Sequence, residues 1–305
     1  MKVGRRMVVI AAVLVAVRVV CGGGGDSGGG GGGGGGNRRS GDSGAPGTAL
    51  RLATFNIENY PASERQEAGA LAAIRDTGAS IVAVQEIMDP PRFRRALRHA
   101  LGGSWSTAFV TLEDRSLHAV GIAFDRRRVR LAWARTNRAT LTYPGARPTL
   151  EARLYPRDRG RGRAMRVFVI HLKAGGDGNA TRTRQLEALG PALAAARADG
   201  DDVYVLGDFN ATGPDDRALI ERISRGAGLS WASRDLPCTA YWDRDDGCLG
   251  AALDHVLAPR PPRDIFAADP CRRNGCALRD QCPTFVHDVS DHCPVVVEPA
   301  PAPAP

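Results

Sequence analysis

The sequence predicts one α/β domain in which mixed β-sheets are covered by helices. Short runs rich in β-branched and aromatic residues recur between stretches whose apolar residues have helical spacing. Strands and helices do not alternate strictly, so a wholly parallel sheet is not expected. No internal repeat and no second linker divides the chain. One domain over residues 48–298 is therefore the simplest prediction.

The first 21 residues have the pattern of an export signal. A basic start precedes an apolar run, Met7–Val17, that is too short for a comfortable membrane span. Cys21 resembles the lipid-modified cysteine of bacterial lipoproteins. However, Arg18 and Val20 stand where those proteins usually carry leucine and a small residue. We expect an exported protein, periplasmic or extracellular, with Cys21 as candidate lipid anchor to a membrane and plain secretion as the alternative.

Two low-complexity segments flank the predicted domain. Residues 22–47 are glycine-rich and cannot bury apolar surface, so they are predicted to form a flexible linker. Residues 299–305 alternate proline and alanine and are predicted to form a stiff tail without a folding role.

The positive net charge of the chain is compatible with a polyanionic substrate but does not identify one. The formal net charge is +8, and it falls to +4 from residue 47 onward. Beyond Lys2 nearly every basic residue is arginine, with Lys173 as the exception. Arginine bias can equally reflect genome composition.

The cysteines indicate disulfides in an oxidising compartment. Six of the seven lie after residue 237, an even number in one region, with irregular spacings and no CxxC pair. A zinc site is the rival interpretation, which those spacings disfavour. Cys238 with Cys248 is the simplest first pairing, since they bracket one loop.

In the first half of the chain, start and stop signals define the elements. Ser63 and Glu64 open a helix that runs to about Asp76 and is closed by Gly78, and Pro90 opens a second, basic helix. The predicted strands are Leu50–Ile57, Ser80–Val84, Trp105–Leu112, Leu117–Phe124 and Val129–Ala134.

In the second half, a long helix is predicted over Asn179–Ala198, because Leu186, Leu189 and Leu193 give it one apolar face. A further helix is predicted over Pro214–Ser224. The predicted strands are Leu150–Tyr155, Met165–Ile170, Val203–Asp208, Leu253–Leu257, Ile265–Phe266 and Cys293–Val297. Arg157–Arg163 is expected to be a solvated hairpin tip. Cys238–Gly250 is expected to be a loop whose Tyr241 and Trp242 help to shape a substrate groove.

Polar side chains recur where these strands end. They are Asn56, Glu58, Glu86, His171, Asp208, Asn210, Asp254, Asp291 and His292. A hard cation such as Mg²⁺ takes oxygen ligands from one or two carboxylates and keeps water for a substrate phosphate. Phosphoryl transfer needs charge neutralised on the phosphate oxygens and an aligned attacking water. Carboxylates, amides and imidazoles at one sheet edge would supply these parts.

Six motifs in this order resemble those of the endonuclease/exonuclease/phosphatase superfamily. They are Thr54–Asn59, Val84–Glu86, Ile170–Leu172, Gly207–Asn210, Leu253–His255 and Ser290–Pro294. Each is weak by itself, and the ordered set is specific. The superfamily includes pancreatic-type deoxyribonucleases, abasic-site endonucleases, sphingomyelinases and inositol-phosphate phosphatases. The resemblance implies a four-layer α/β sandwich with two mixed β-sheets flanked by helices.

The resemblance also implies roles for the metal-binding residues. Glu86 is similar to the principal metal-binding carboxylate, with Asn56 beside it. Glu58 and Asp291 are further metal candidates. The implied cation is Mg²⁺, with Mn²⁺ or Ca²⁺ as alternatives.

Catalytic and phosphate-binding roles follow in the same way. Asp208 resembles the residue that positions or deprotonates the attacking water, Asn210 the amide that binds the same phosphate, and His292 the histidine on the scissile phosphate. Asp254 would orient His292. His171 resembles a second active-site histidine of the deoxyribonuclease branch, and Glu113 is a candidate for its acidic partner. Arg147, in an arginine-proline step, is a candidate phosphate donor. His255 is expected to be only a strand-end residue.

Three function hypotheses remain from the sequence. The preferred one is an exported, Mg²⁺-dependent phosphodiesterase, a monomeric nuclease that hydrolyses DNA. The second is a phosphatase or a sphingomyelinase-like phospholipid phosphodiesterase, although no long exposed apolar loop suited to bilayer insertion is evident. The third is a non-catalytic surface-binding protein on the same scaffold.

Overall fold

The computed structural model describes residues 50–110, 118–157, 163–245, 247–277 and 280–301. The strands are β1 (Leu52–Tyr60), β2 (Ile81–Ile87), β3 (Trp105–Val110), β4 (Ala119–Asp125), β5 (Val129–Asn137), β6 (Thr149–Pro156), β7 (Met165–His171), β8 (Asp202–Asp208), β9 (Ser230–Trp231), β10 (Ala240–Arg244), β11 (Gly247–Ala251), β12 (Asp254–Ala258), β13 (Asp264–Ala267) and β14 (Val295–Glu298). The helices are α1 (Glu64–Asp76), α2 (Pro90–Leu101), α3 (Asn179–Ala198), α4 (Pro214–Gly226), α5 (Cys271–Asn274) and α6 (Thr284–Asp288).

Two six-stranded sheets form the centre of the domain. One has the order β13-β14-β1-β2-β4-β3 and the other the order β5-β6-β7-β8-β12-β9. The central pairs β1/β2 and β7/β8 are parallel, and their neighbours pair antiparallel. The sheets are mixed, as the sequence predicts.

Side-chain alternation along the strands separates three apolar layers. Leu52 and Leu206 belong to the core between the sheets, whereas Phe55 packs in the cluster that includes Leu71 of α1. Leu186, Leu189 and Leu193 of α3 pack with residues of β7 and β8 on the outer face of the second sheet. Helices therefore cover both outer faces, and the predicted four-layer α/β sandwich is confirmed.

Local capping explains where the first two helices begin. The Ser63 hydroxyl accepts from the Gln66 amide at 3.0 Å, and the Gln66 side chain reaches back to the Ala62 amide at 2.6 Å. Asp89 accepts from the Arg92 amide at 2.9 Å, with proline in the first turn of α2.

The predicted Cys238–Cys248 pairing is wrong. The disulfides are Cys238–Cys276, Cys248–Cys282 and Cys271–Cys293. Strands β10 and β11 form a hairpin whose register sets Cys248 opposite Asp243, five positions along from Cys238. The three disulfides indicate an oxidising environment, periplasmic or extracellular.

The same hairpin corrects the predicted loop over Cys238–Gly250. Tyr241 is buried, and its hydroxyl donates to the Gly275 carbonyl at 2.6 Å, so it packs instead of facing a groove. Trp242 is partly exposed. Residues 158–162 of the predicted arginine-rich tip lie outside the described residues.

Other strand boundaries differ for identifiable reasons. Strand β1 continues to Tyr60 through an irregular register with β2 after Asn56. Strand β14 begins at Val295, because the Cys293 amide instead donates to the Thr239 carbonyl at 2.7 Å. Within the described part of the chain, no helix is long and apolar enough to cross a membrane.

Gly207, the residue before Asp208, is required by a close approach between β7 and β8. It has φ +150°, and a Cβ there would lie 2.0 Å from the Ile170 carbonyl oxygen. Gly190, inside α3, has open space where a Cβ would be.

We expect Gly207→Ala to lower the free energy of unfolding by about 1–3 kcal/mol, since a side chain would push the central parallel strands apart. Gly190→Ala, the matched control, should raise it by about 0.5–1 kcal/mol through helix propensity. Urea denaturation of both variants measures the difference. Equal midpoints for Gly207→Ala and the wild type would contradict the assigned packing.

Candidate active site

The polar ends of the central strands meet at one edge of the sandwich. Parallel pairing brings the end of β1 beside the end of β2, and the end of β7 beside the end of β8. Strand β12 is antiparallel to β8 and pairs Asp254 with Asp208. The segment before β14 adds His292, which bridges to Ala240. Sequence-distant polar residues from both sheets therefore share one site.

Asn56 and Glu86 form the part of this site that is suited to a metal. The Asn56 amide nitrogen donates to Glu86 Oε1 and to Asp208 Oδ2, each at 3.2 Å. Its oxygen, Oδ1, is buried and has no hydrogen-bond partner among the described residues. Glu86 has φ +60°, a left-handed backbone conformation that is uncommon in non-glycine residues and clusters at functional sites. An unpaired amide oxygen beside a carboxylate fits a hard cation such as Mg²⁺.

Glu58 and Asp291 lie at the edge of the same region. Burial, reinforced by Asp291 and Glu86, raises the pKa of Glu58. Burial also raises the pKa of Asp291 despite the nearby His292. Carboxylates crowded in this way would be stabilised in their charged form by a cation.

Asp208 is the central carboxylate of the site. It is fully buried, and burial raises its pKa to about 7. The Asn210 backbone amide donates to Oδ1 at 2.8 Å and the Asn210 side chain donates to Oδ2 at 3.0 Å. Asn210 also donates to the Leu172 carbonyl at 3.2 Å, with φ +51°. The backbone and side-chain amides of Asn210 thus hold both carboxylate oxygens of Asp208, the candidate base.

His292 and Asp254 form a short buried pair. His292 Nδ1 lies 2.7 Å from Asp254 Oδ2, and His292 Nε2 lies 3.9 Å from Asp208 Oδ2. Burial alone would lower the pKa of His292, but Asp254, Asp291 and Asp208 together raise it well above its usual value. The imidazole is therefore held as a cation that can donate a proton from Nε2.

His171 is neutral, in contrast to the cationic His292. Its Nε2 lies 3.4 Å from Asp208 Oδ2 and 3.7 Å from Glu86 Oε1. Burial, together with Arg147, holds its pKa well below the usual value, so the ring is neutral. Among the described residues its Nδ1 has no hydrogen-bond partner. Glu113, the residue predicted to pair with it, lies outside the described residues.

Arg147 reaches the site through a histidine that the sequence reasoning missed. Arg147 Nη2 lies 3.3 Å from His118 Nδ1, and that nitrogen lies 3.7 Å from Glu86 Oε2. His118 precedes β4 instead of following a strand, whereas the sequence signal for this site is a polar residue after a strand end.

Thr239 is the second missed residue. Its buried hydroxyl donates to Asp254 Oδ2 at 2.9 Å and accepts from the Leu253 and Asp254 amides, each at 2.9 Å. It therefore holds the carboxylate that orients His292. The only sequence signal was its position directly after Cys238.

Among the described residues, two clusters of potential metal ligands can be weighed against these contacts. Asp208, Asp254 and His292 offer ligand atoms within 4.8 Å of one another. We favour the Asn56–Glu86 side, because the nearby carboxylates hold His292 as a cation, and a cationic imidazole has no nitrogen lone pair left for a metal. The other cluster includes the sulfurs of the Cys248–Cys282 disulfide, which cannot act as thiolates.

His255 lies behind the site and not in it. It is fully buried, with Nδ1 3.3 Å from Trp231 Nε1 and 3.0 Å from Ser233 Oγ. Burial lowers the pKa of His255 to about 3, so the ring is neutral.

Several solved structures share this architecture. The human Nocturnin catalytic domain with bound sulfate matches with a TM-score of 0.62 at 19% identity, covering 82% of this chain and 93% of that one. TDP2 from D. rerio, complexed with single strand DNA product, matches at 0.62 and 16% identity, covering 82% and 98%. A mannosyl-6-phosphatase from Bacteroides thetaiotaomicron matches at 0.56 and 14%, covering 82% and 99%. At these identities the likeness shows the fold.

A comparison with curated proteins gives no significant match. The family model described as "Endonuclease/Exonuclease/phosphatase family" matches residues 53–292, which include every residue of the site described above. The chain belongs to the endonuclease/exonuclease/phosphatase family.

Proposed function

We propose that this protein is an exported, Mg²⁺-dependent phosphodiesterase that hydrolyses DNA. Phosphoester hydrolysis is the activity of its family, and the finer assignment is ours. The observation that carries the proposal is the pairing of a buried carboxylate, Asp208, with a cationic imidazole, His292, beside Asn56 and Glu86. The carboxylate can accept a proton from the attacking water, and the cationic imidazole can stabilise negative charge on the phosphate during displacement at phosphorus.

The residues would divide the work as follows. Asp208 accepts the proton of the attacking water, and Asn210 keeps its carboxylate in place. His292 donates a hydrogen bond from Nε2 to a phosphate oxygen, while Asp254 holds the ring. The ester oxygen takes a proton from water as its bond to phosphorus breaks. Asn56 and Glu86 would hold the cation, which neutralises charge on the phosphate oxygens when bound.

The position of Arg147 and the net charge of the domain both support an anionic substrate. Arg147 lies within reach of His118 at the edge of the metal region, and the domain carries a modest positive balance. The three disulfides support export. Anchoring through Cys21 and a monomeric state remain part of the proposal.

Plasmid DNA should be cleaved by the purified wild-type protein in Mg²⁺, and a chelator should abolish the cleavage. His292→Ala should lower kcat/KM by about 100-fold to 1,000-fold, because the phosphate oxygen loses a cationic hydrogen-bond donor. His99→Ala, an exposed histidine on α2, is the matched control and should leave the rate unchanged.

A panel containing RNA, sphingomyelin, inositol phosphates and sugar phosphates separates the rival hypotheses. Turnover of sphingomyelin or a phosphomonoester with intact DNA would favour the second one. Identical residual rates for wild type and His292→Ala on every substrate would favour the non-catalytic scaffold.

The pH dependence of the hydrolysis rate should follow the ionisation of Asp208. Only the charged carboxylate accepts a proton, so the rate should rise as pH increases through about 7, where burial sets its pKa. A higher Mg²⁺ concentration should shift this rise in rate to lower pH, because a nearby cation favours the charged form of Asp208. If Asp208→Asn retains activity and its rate still rises through about pH 7, another group is the base.

Thr239→Val should lower kcat by about 10-fold to 100-fold with little change in KM, because Asp254 loses one of its two partners. Thr239→Ser keeps the hydroxyl and should remain within about threefold of the wild type. The downfield proton resonance of His292 Nδ1 should shift in the valine variant alone. An unshifted resonance with reduced kcat would count against a positioning role.

A further inference from the structure

Arg182, in the first turn of α3, is a buried charged residue that the roles proposed above leave unused. It is 1% exposed. A guanidinium group carries a permanent positive charge and several N–H donors, and burying it is costly unless those donors meet acceptors. The acceptors around Arg182 therefore show which parts of the chain it holds together.

All five N–H donors of Arg182 meet an acceptor. Nε and Nη2 donate to Oδ1 and Oδ2 of Asp216 at 2.8 and 2.7 Å. Nη1 donates to the carbonyl oxygens of Lys173 and Gly175, each at 2.8 Å. Nη2 also donates to the Thr212 hydroxyl at 3.3 Å. One guanidinium thus joins α4 to two separate loops.

These two loops follow His171 at the end of β7 and Asp208 at the end of β8. The Asn210 side chain crosses from one loop to the other, since its nitrogen donates to the Leu172 carbonyl at 3.2 Å and to Asp208 Oδ2 at 3.0 Å. If the loops moved apart, Asn210 could not keep both contacts. The spacing that Arg182 maintains therefore bears directly on the carboxylate of the candidate base.

Asp216 holds the guanidinium from the side of α4. Burial alone would raise the pKa of Asp216, but hydrogen bonds from Arg182 and Asn179 hold it below its usual value. Asp216 Oδ2 also accepts from the Thr212 amide at 3.0 Å. The ion pair therefore joins the first turns of α3 and α4 and the loop between β8 and α4.

Gly178 leaves room for the guanidinium. A Cβ at that position would lie 2.5 Å from Arg182 Nη1 and 3.2 Å from the Lys173 carbonyl oxygen. The loop after His171 can approach Arg182 this closely only because residue 178 has no side chain.

Gln185, one turn further along α3, extends the same hold to a third loop. It is fully buried, its Oε1 accepts from the Lys173 amide at 3.0 Å, and its Nε2 donates to the Thr140 carbonyl at 3.1 Å. The Thr140 hydroxyl donates to the Arg147 carbonyl at 2.9 Å. The first two turns of α3 therefore connect three loops around the site, and Arg182 joins the two that carry the proposed base and the neutral histidine.

We propose that Arg182 is a positioning residue for hydrolysis. It locks the loop after His171 to the loop after Asp208, and so keeps Asn210 on the Asp208 carboxylate. The inference rests on the proposed function, because it takes Asp208 as the base. Arg182 acts through Asn210 and not on the phosphate itself.

The test compares two buried arginines. Arg182→Lys keeps a positive charge beside Asp216, but a single ammonium group cannot reach both loops and both carboxylate oxygens. Arg166→Lys is the matched control, because Arg166 is also buried and lies near the start of β7, at the end of the strand away from His171. Its nitrogens donate at 2.9, 2.8 and 2.7 Å to the carboxylates of Asp201, Glu151 and Asp199.

Both variants should lower the urea midpoint, because each weakens a buried ion pair. Only Arg182→Lys should lower kcat beyond that, by about 10-fold to 100-fold with KM within about threefold, because misplaced catalytic groups slow the chemical step. Arg166→Lys should keep kcat within about threefold of the wild type. Bis(p-nitrophenyl) phosphate and p-nitrophenyl phosphate are the substrates, so that diester and monoester hydrolysis are both detected.

Thr212→Val is a second variant, and it should fold like the wild type because Thr212 is exposed. It removes only the hydroxyl that accepts from Arg182 and should lower kcat by about threefold to 10-fold, whereas Thr212→Ser should stay within about twofold. In the Arg182→Lys background Thr212→Val should cause little further loss, because both changes cut the same link.

Equal losses of kcat in Arg182→Lys and Arg166→Lys would overturn the positioning role. So would a loss from Thr212→Val that is as large in the Arg182→Lys background as in the wild type. The side-chain amide resonances of Asn210, followed by NMR, keep these failures apart from failure of the proposed function. In a protein that hydrolyses neither ester nor plasmid DNA, a shift of these resonances in Arg182→Lys but not in Arg166→Lys would retain the loop coupling and reject the proposed function. Unshifted resonances in Arg182→Lys would reject the coupling, whatever the activity.

Discussion

The site depends on a buried carboxylate at the seam between the two sheets. Asp208, at the end of β8, accepts from Asn56 of the opposite sheet at 3.2 Å and from Asn210 of its own loop. Burial removes the water that would hydrate the charged carboxylate. The hydrogen bonds from these amides replace only part of that lost hydration. Its pKa therefore rises, and the neighbouring imidazoles adopt different charge states in response to their own partners.

The two histidines illustrate how partners decide charge at equal burial. Both lie near Asp208, and desolvation alone would make both neutral. His292 has a carboxylate at 2.7 Å on its far nitrogen, whereas the far nitrogen of His171 has no partner among the described residues. One ring is therefore an acid and the other a neutral donor or acceptor.

A covalent frame supports the more irregular half of the site. Cys293 follows His292 and is bonded to Cys271, and Cys238 precedes Thr239 and is bonded to Cys276. This region has short strands and little apolar core of its own, with half-cystines making up most of its cluster. Disulfides supply the rigidity that packing supplies elsewhere in the sandwich.

The sequence by itself determined the fold class, most elements and the chemical types at the strand ends, because strand and helix periodicity and capping are local properties. It could not determine the disulfide pairing, since hairpin register and not sequence spacing brings the sulfurs together. It also missed Thr239 and His118, whose importance lies in contacts with Asp254 and Glu86 across long sequence separations. The charge states of Asp208, His171 and His292 were likewise decided only by tertiary structure, because burial and close partners shift a pKa and neither is local in sequence.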